Sequence, residues 1–168
     1  MAGFKHLVPL SLLVAVFGAA FGLVALQSGL SETDTVIMST LVFAGASQFA
    51  ALDLWGAQVS LIPLVLTVFA INARYLLMGA TLYPWLKQFT PAKRYATMVV
   101  ASDANWALSM RALNNDKPGL GLLLGGGLAL WSFWIVGTWI GVYFGNFISN
   151  PEAFGACGIL VAALARPV

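Results

Sequence analysis

Charge is what this sequence has least of. Only 8% of its 168 residues are Asp, Glu, Lys or Arg, against roughly a quarter in an average soluble domain. A water-soluble fold of this length has too little interior to hide the 60% of residues that are apolar, and the mean hydropathy of +0.89 agrees. Cysteine is nearly absent: Cys157 stands alone, so no internal disulfide can form, and no Asn-x-Ser/Thr sequon occurs. Histidine is limited to His6, with no ligating neighbours, which leaves no basis for a metal site. The net charge of +2 comes from scattered basic residues, not from the basic stripe that phosphate neutralisation requires, so nucleic acid is set aside. No nucleophile elbow, zinc-protease helix, phosphate-binding loop or dinucleotide fingerprint is present, and nothing calls for a cofactor or supports an enzyme.

What is present is apolar sequence in membrane-length pieces. Residues 1–168 read as one transmembrane domain of an all-α integral membrane protein with about five apolar helical segments, since a span needs about 20 residues. The first segment runs from about Leu7 to Leu26 and reads as a retained helix, because no small-x-small cleavage site follows it. The second, about Val36 to Trp55, is small and polar in its middle, Phe43-Ala44-Gly45-Ala46-Ser47-Gln48-Phe49. The third covers about Leu61 to Leu82 and holds Asn72 and Arg74. A fourth, about Tyr95 to Leu113, carries Ser102, Asp103, Asn105 and Ser109. After the turn signal Asn114-Asn115-Asp116-Lys117-Pro118-Gly119, a fifth extends to about Ile148, and residues 151–168 form a short apolar tail.

Lys and Arg in short loops set orientation, so the loop with Lys87, Lys93 and Arg94 should face the cytoplasm, and so should Lys5. Three full crossings between them would put them on opposite sides. The conflict disappears if residues 36–55 form a broken or re-entrant element, because irregular backbone is tolerated at membrane depth where it is buried or lines a cavity. The alternative is an outside N-terminus.

Polar residues inside the segments are the candidates for chemistry. Arg74 is costly in lipid without a partner; Asp103 is the nearest partner in kind, and a guanidinium can also clamp a substrate carboxylate through two parallel hydrogen bonds. Asp103 itself could carry a coupling proton, burial favouring its neutral form, or could simply start a helix near the surface. Ser102, Asn105 and Ser109 share one helical face, which should look inward. Gly45, Ser47 and Gln48 suit a broken helix whose freed backbone groups and amide bind the ends of a zwitterion. Gly18-x-x-x-Gly22 and Gly137-x-x-x-Gly141-x-x-x-Gly145 read as packing ridges that could serve a second subunit, while Gly125-Gly126-Gly127 reads as a kink or an unwinding. The Trp residues at 55, 85, 131, 134 and 139 read as at least partly interfacial anchors. A short echo links Ala46-Ser47-Gln48-Phe49-Ala50-Ala51-Leu52 with Ala101-Ser102-Asp103 and Trp106-Ala107-Leu108, of the kind that paired transporter repeats leave, although chance explains it about as well.

The run from Met38 to Ala50, with Asn72-Ala73-Arg74-Tyr75 and Pro84 downstream, resembles the AzlC/YgaZ family of branched-chain amino acid permeases over residues 7–150. The family's Gly-Ala-Ser-Gln-Phe block corresponds to Gly45 through Phe49, its Asn-x-Arg-His/Tyr block to Asn72 through Tyr75, and its following Asp to Asp103. Ala104 stands where the family often has Glu, and the tail does not look like the family's continuation. The resemblance implies a bacterial inner-membrane subunit exporting valine, leucine, isoleucine or methionine, together with a small AzlD/YgaH-type membrane subunit. The expected substrate contacts are Gly45, Ser47, Gln48, Asn72, Arg74 and Asn105, with Asp103 coupling protons. A non-transporting scaffold assembled by the glycine ridges and a channel subunit are the rival expectations, and self-association through the ridges is a further one.

Overall fold

The computed structural model describes residues 2–55, 60–115 and 119–149; the middle of the expected 114–119 turn and the tail from 151 to 168 lie outside them. The described residues form eight helices and no strand: α1 (Ala2–Gln27), α2 (Glu32–Leu41), α3 (Gly45–Asp53), α4 (Leu61–Asn72), α5 (Arg74–Leu86), α6 (Pro91–Val99), α7 (Asp103–Leu113) and α8 (Leu120–Ser149). Three stretches are long and apolar enough to cross a membrane: α1, α4 with α5, and α8. At 1.5 Å per residue the 26 residues of Leu61–Leu86 reach about 39 Å, more than the roughly 30 Å hydrocarbon core. The other four helices, of 9 to 11 residues, reach only about half-way.

Each pair of short helices folds back on itself. In the first pair, α2 ends at Leu41, Val42 is extended, and α3 starts at Gly45. The Gln48 amide then donates to the Met38 carbonyl at 3.0 Å, a contact that ten residues of straight helix would hold about 15 Å apart. Leu30, just before α2, and Leu52, near the end of α3, share one apolar cluster with Phe21 and Ala25 of α1. Both ends of this hairpin therefore lie where α1 ends. The expectation of a broken 36–55 segment holds, with a re-entrant hairpin as its form.

The segment expected as a continuous fourth helix is broken too. Ser102 adopts the extended backbone of an N-cap, its side chain and that of Asn105 satisfying each other's backbone ends, so helix restarts at Asp103 instead of running on from Val99. Asn105 reaches back to the Val100 carbonyl at 3.0 Å and across to the Leu123 carbonyl at 2.7 Å. Leu86, ahead of α6, and Leu113, at the end of α7, share a second cluster with Leu82 and Leu123. This hairpin opens at the other face. The five expected segments are thus three spans and two half-depth hairpins that enter from opposite sides.

Glycine fixes how the long helices meet. A Cβ on Gly137 or Gly141 would run into the carbonyls of Ala15 or Ala19, and one on Gly18 or Gly22 into those of Trp134 or Thr138. The backbones of α1 and α8 touch along their length, in parallel, as small-residue ridges allow in lipid. The expected ridges are packing surfaces, and their partner is within the chain. Gly125, Gly126 and Gly127 are not a kink: α8 runs through them unbroken, and they receive Phe4, Leu7 and the tip of the second hairpin at Val100.

This arrangement settles the orientation conflict. Lys5, Leu86, Phe89, Lys93 and Leu120 line one crevice, so the N-terminus, the 87–90 loop and the start of α8 share a face. Lys5, Lys87, Lys93, Arg94 and Arg111 lie toward that face, and Glu32, Asp34 and Asp53 toward the opposite one. The basic face is the cytoplasmic one by the positive-inside rule.

Candidate functional site

The breaks in three segments converge at mid-depth. Arg74 opens α5 midway along the 26-residue span, Asp103 opens α7 at the tip of the second hairpin, and Ser47 lies in the first turn of α3 at the tip of the first. The Arg74 guanidinium binds Asp103 with 2.6 Å between Nη1 and Oδ2. The Asn72 amide donates to Ser47 Oγ at 3.2 Å, while the Ser47 hydroxyl donates to the Ala44 carbonyl at 2.8 Å. Tyr75 donates to the Phe43 carbonyl at 3.4 Å, and Arg74 sits 5.4 Å from the Tyr75 ring centre. One arginine-bearing span thus ties both hairpin tips together.

The local chemistry suits an ionised pair. Asp103 at the first position of α7 faces the positive end of its helix dipole, worth about 0.3–1 kcal/mol and more where water is scarce. The pair is not sealed: the Arg74 side chain is 36% exposed and that of Asp103 58%. Beside it, Arg74 Nε and Asn72 Oδ1 are buried without a hydrogen-bond partner, as is Gln48 Oε1 in the first turn of α3. Charged and polar groups with unfilled capacity, open on one side at membrane depth, are what a site for a polar ligand requires. No group of three or more His, Cys, Asp or Glu that could hold a metal occurs among the described residues.

The AzlC protein family model matches residues 9–148, most of the chain. The chain belongs to the AzlC family. Inner membrane protein YgaZ of Escherichia coli is 30% identical over 169 residues, covering 98% of this chain and 69% of YgaZ. Membrane proteins of Archaeoglobus fulgidus and Helicobacter pylori are 30% and 25% identical over 86% and 87% of this chain. The chain spans 62% and 64% of those two relatives, under two thirds of their length. No solved structure matches. The chain is a multi-pass membrane protein, as its three membrane-length helices and its relatives' names agree, YgaZ being named an inner membrane protein. Membership of the AzlC family is consistent with a transport-related role.

Within this AzlC chain the expected contact residues separate into two groups. Ser47, Asn72, Arg74 and Asp103 come together; Gln48, next to Ser47 in α3, turns its amide to the Met38 carbonyl and leaves its own oxygen without a hydrogen-bond partner. Asn105 does not join them: it is fully buried, its amide donates to two carbonyls, and its oxygen accepts from the Ser102 backbone N–H and hydroxyl. Its hydrogen-bonding capacity goes into closing the hairpin. Gly45 has a packing role, since a Cβ there would strike the Trp134 ring. Trp134 is no interfacial anchor: buried, it stacks on Phe21 at 6.0 Å and meets Phe49 edge-on at 6.5 Å. Trp131 likewise turns inward, donating to the Thr40 carbonyl at 3.2 Å. Two residues that hold the first hairpin went unrecognised in the sequence: Tyr75, which bonds the turn at Phe43, and Thr138, which bonds Ser39 of α2 at 2.8 Å. Tyr75 adjoins Arg74 in the Asn-x-Arg-Tyr block; an isolated Thr138 in a glycine ridge gives no such signal.

Proposed function

We propose that the chain is the permease subunit of a secondary transporter that exports branched-chain and related apolar amino acids. The substrate lies at the convergence of the two hairpin tips with the α4–α5 junction. Arg74 takes the substrate carboxylate, and the free oxygens of Asn72 and Gln48, with Ser47, receive its ammonium group. Asp103 is released from Arg74 as substrate arrives, and carries the coupling proton. The observation that supports this reading best is the Arg74–Asp103 pair, at mid-depth and still open to exchange one partner for a ligand. A channel would need a continuous polar lining, and a scaffold has no use for ionised groups there. The small AzlD/YgaH-type subunit belongs to the same proposal, with α4, which buries none of its residues, as a candidate contact.

Efflux of labelled valine from cells expressing the chain, with and without the small subunit, tests the reading. Efflux should rise with both present and return to background with Arg74→Gln at equal protein amount. Efflux that the variant leaves unchanged would remove Arg74 from the transport path.

A further inference from the structure

The crevice on the basic face plays no part in the transport reading. Its volume is about 830 Å³, within the roughly 300–1,000 Å³ of ligand sites, and it opens between the start of α1, the 86–97 region and the first half of α8. Leu86, Phe89, Leu124 and Leu128 give it apolar walls, and Lys5 and Lys93, from two different helices, supply its cations. Helix α6, which lies along it, buries none of its residues, and Leu124 and Leu128 are 41% and 38% exposed. The walls therefore call for an apolar occupant, and the two ammonium groups for an anionic one. No described Asp or Glu lies on this face to neutralise them. A further apolar helix would fill the walls but leave both lysines unpaired. An anionic phospholipid satisfies both demands, and the cytoplasmic leaflet, which the basic face adjoins, is where such lipids carry the surface charge.

We propose that this crevice is a specific site for an anionic phospholipid, with the phosphate between Lys5 and Lys93 and an acyl chain along Leu124 and Leu128. Such a lipid packs against α6, none of whose residues the protein itself fully buries, and so props the second hairpin against α1 and α8.

The test is lipid retention by the purified, delipidated chain, read by native mass spectrometry after adding phosphatidylglycerol or phosphatidylcholine. Phosphatidylglycerol should bind more tightly by roughly ten- to thirtyfold, since both lysines near the headgroup add to the attraction for its net negative charge. The Lys5→Gln/Lys93→Gln variant should lose that preference, and Lys87→Gln, outside the crevice, should keep it. Both lysines are exposed, so the fold should survive. Gly121→Leu adds a side chain where a Cβ meets nothing within 4 Å, filling the crevice without touching the lysines, and should weaken both lipids. Equal retention of the two lipids by the unaltered chain would overturn the proposal. So would a loss with Lys87→Gln as large as with the crevice pair, since that marks diffuse attraction to the whole basic face.

Discussion

The two re-entrant hairpins enter from opposite faces and are closed by the same device, an amide side chain of the second helix bonded to a carbonyl of the first or of the turn. They differ in what surrounds them. The first buries Thr35, Ser39, Ser47, Gln48, Ala51 and Leu52, lies under Trp134, and is fastened to α8 through Ser39 and Thr40. In the second, α6 buries nothing and the buried residues of α7 are Asn105, Ser109 and Leu113. Packing and two bonds to α8 hold the first hairpin; the second is packed mainly through α7 and the turn before it, and Asn105 supplies the bonds that close its tip. Elements with few buried apolar contacts open most easily, so local opening is least opposed at α6.

The sharpest way to break this comparison is at Asn105. Asn105→Leu removes both bonds to carbonyls and both acceptor contacts at Ser102, and it brings a bulkier side chain against Gly127, whose own Cβ position already abuts the Asn105 amide. Stranding buried polar groups costs about 1–3 kcal/mol each, so a loss of about 2–4 kcal/mol is expected, even with partial relaxation. Thermal unfolding in detergent should show a markedly lower midpoint and little folded protein in cells. A midpoint close to that of the unaltered chain would mean that packing holds the second hairpin without the Asn105 bonds.

Much of this was legible in the sequence, and the reasons are particular. Arg74 and Asp103 announce a partnership because an isolated charge at that depth is too costly, and the structure pairs them. The polar run around Ser47 and Gln48 signals the first break because lipid-facing helix has no use for it. The second break was harder to read: Met98 to Ala101 is apolar and good for helix, and only the Ser102 cap and Asn105 end it. Periodicity merges two such helices into one. Asn105 reads as ligand-binding for the same reason, since the turn that takes up its hydrogen bonds to Val100, Leu123 and Ser102 is not visible in the sequence. The glycine triplet in α8 shows the opposite error. Local propensity suggests a kink, but tertiary packing against Phe4, Leu7 and Val100 makes use of the missing side chains while the helix continues.

A smaller effect is expected where the hairpins meet the span. Removing one partner of a buried ion pair costs about 3–5 kcal/mol, and the partial exposure of Arg74 and Asp103 brings the expected loss down to about 1–3 kcal/mol. Arg74→Gln and Asp103→Asn should each lower the amount of protein, and the double variant should lose less than the sum of the two. If the pair serves structure alone, amount and efflux recover together in the double variant. If it serves transport, amount recovers while efflux stays low, because a neutral pair neither clamps a carboxylate nor titrates. Additive losses of amount would show that the two residues act separately.

The smallest change in stability is expected at Gln48, and it sets the two amide clasps against each other. Gln48→Leu gives up one hydrogen bond to the Met38 carbonyl, which still accepts from the Val42 N–H at 2.9 Å, so no carbonyl is stranded. It also removes the Gln48 oxygen that is buried without a partner, a gain that offsets part of the loss. The hairpin keeps the Trp134–Phe49 contact and the Ser39–Thr138 bond. Stability should therefore change by less than about 1 kcal/mol, well under the effect at Asn105. Efflux should nevertheless fall, because the lost oxygen is one of those offered to the substrate ammonium. A well-inserted Gln48→Leu protein with full efflux would return Gln48 to hairpin closure alone. A loss of stability as large as at Asn105 would mean that polar clasps, not aromatic packing, hold both hairpins.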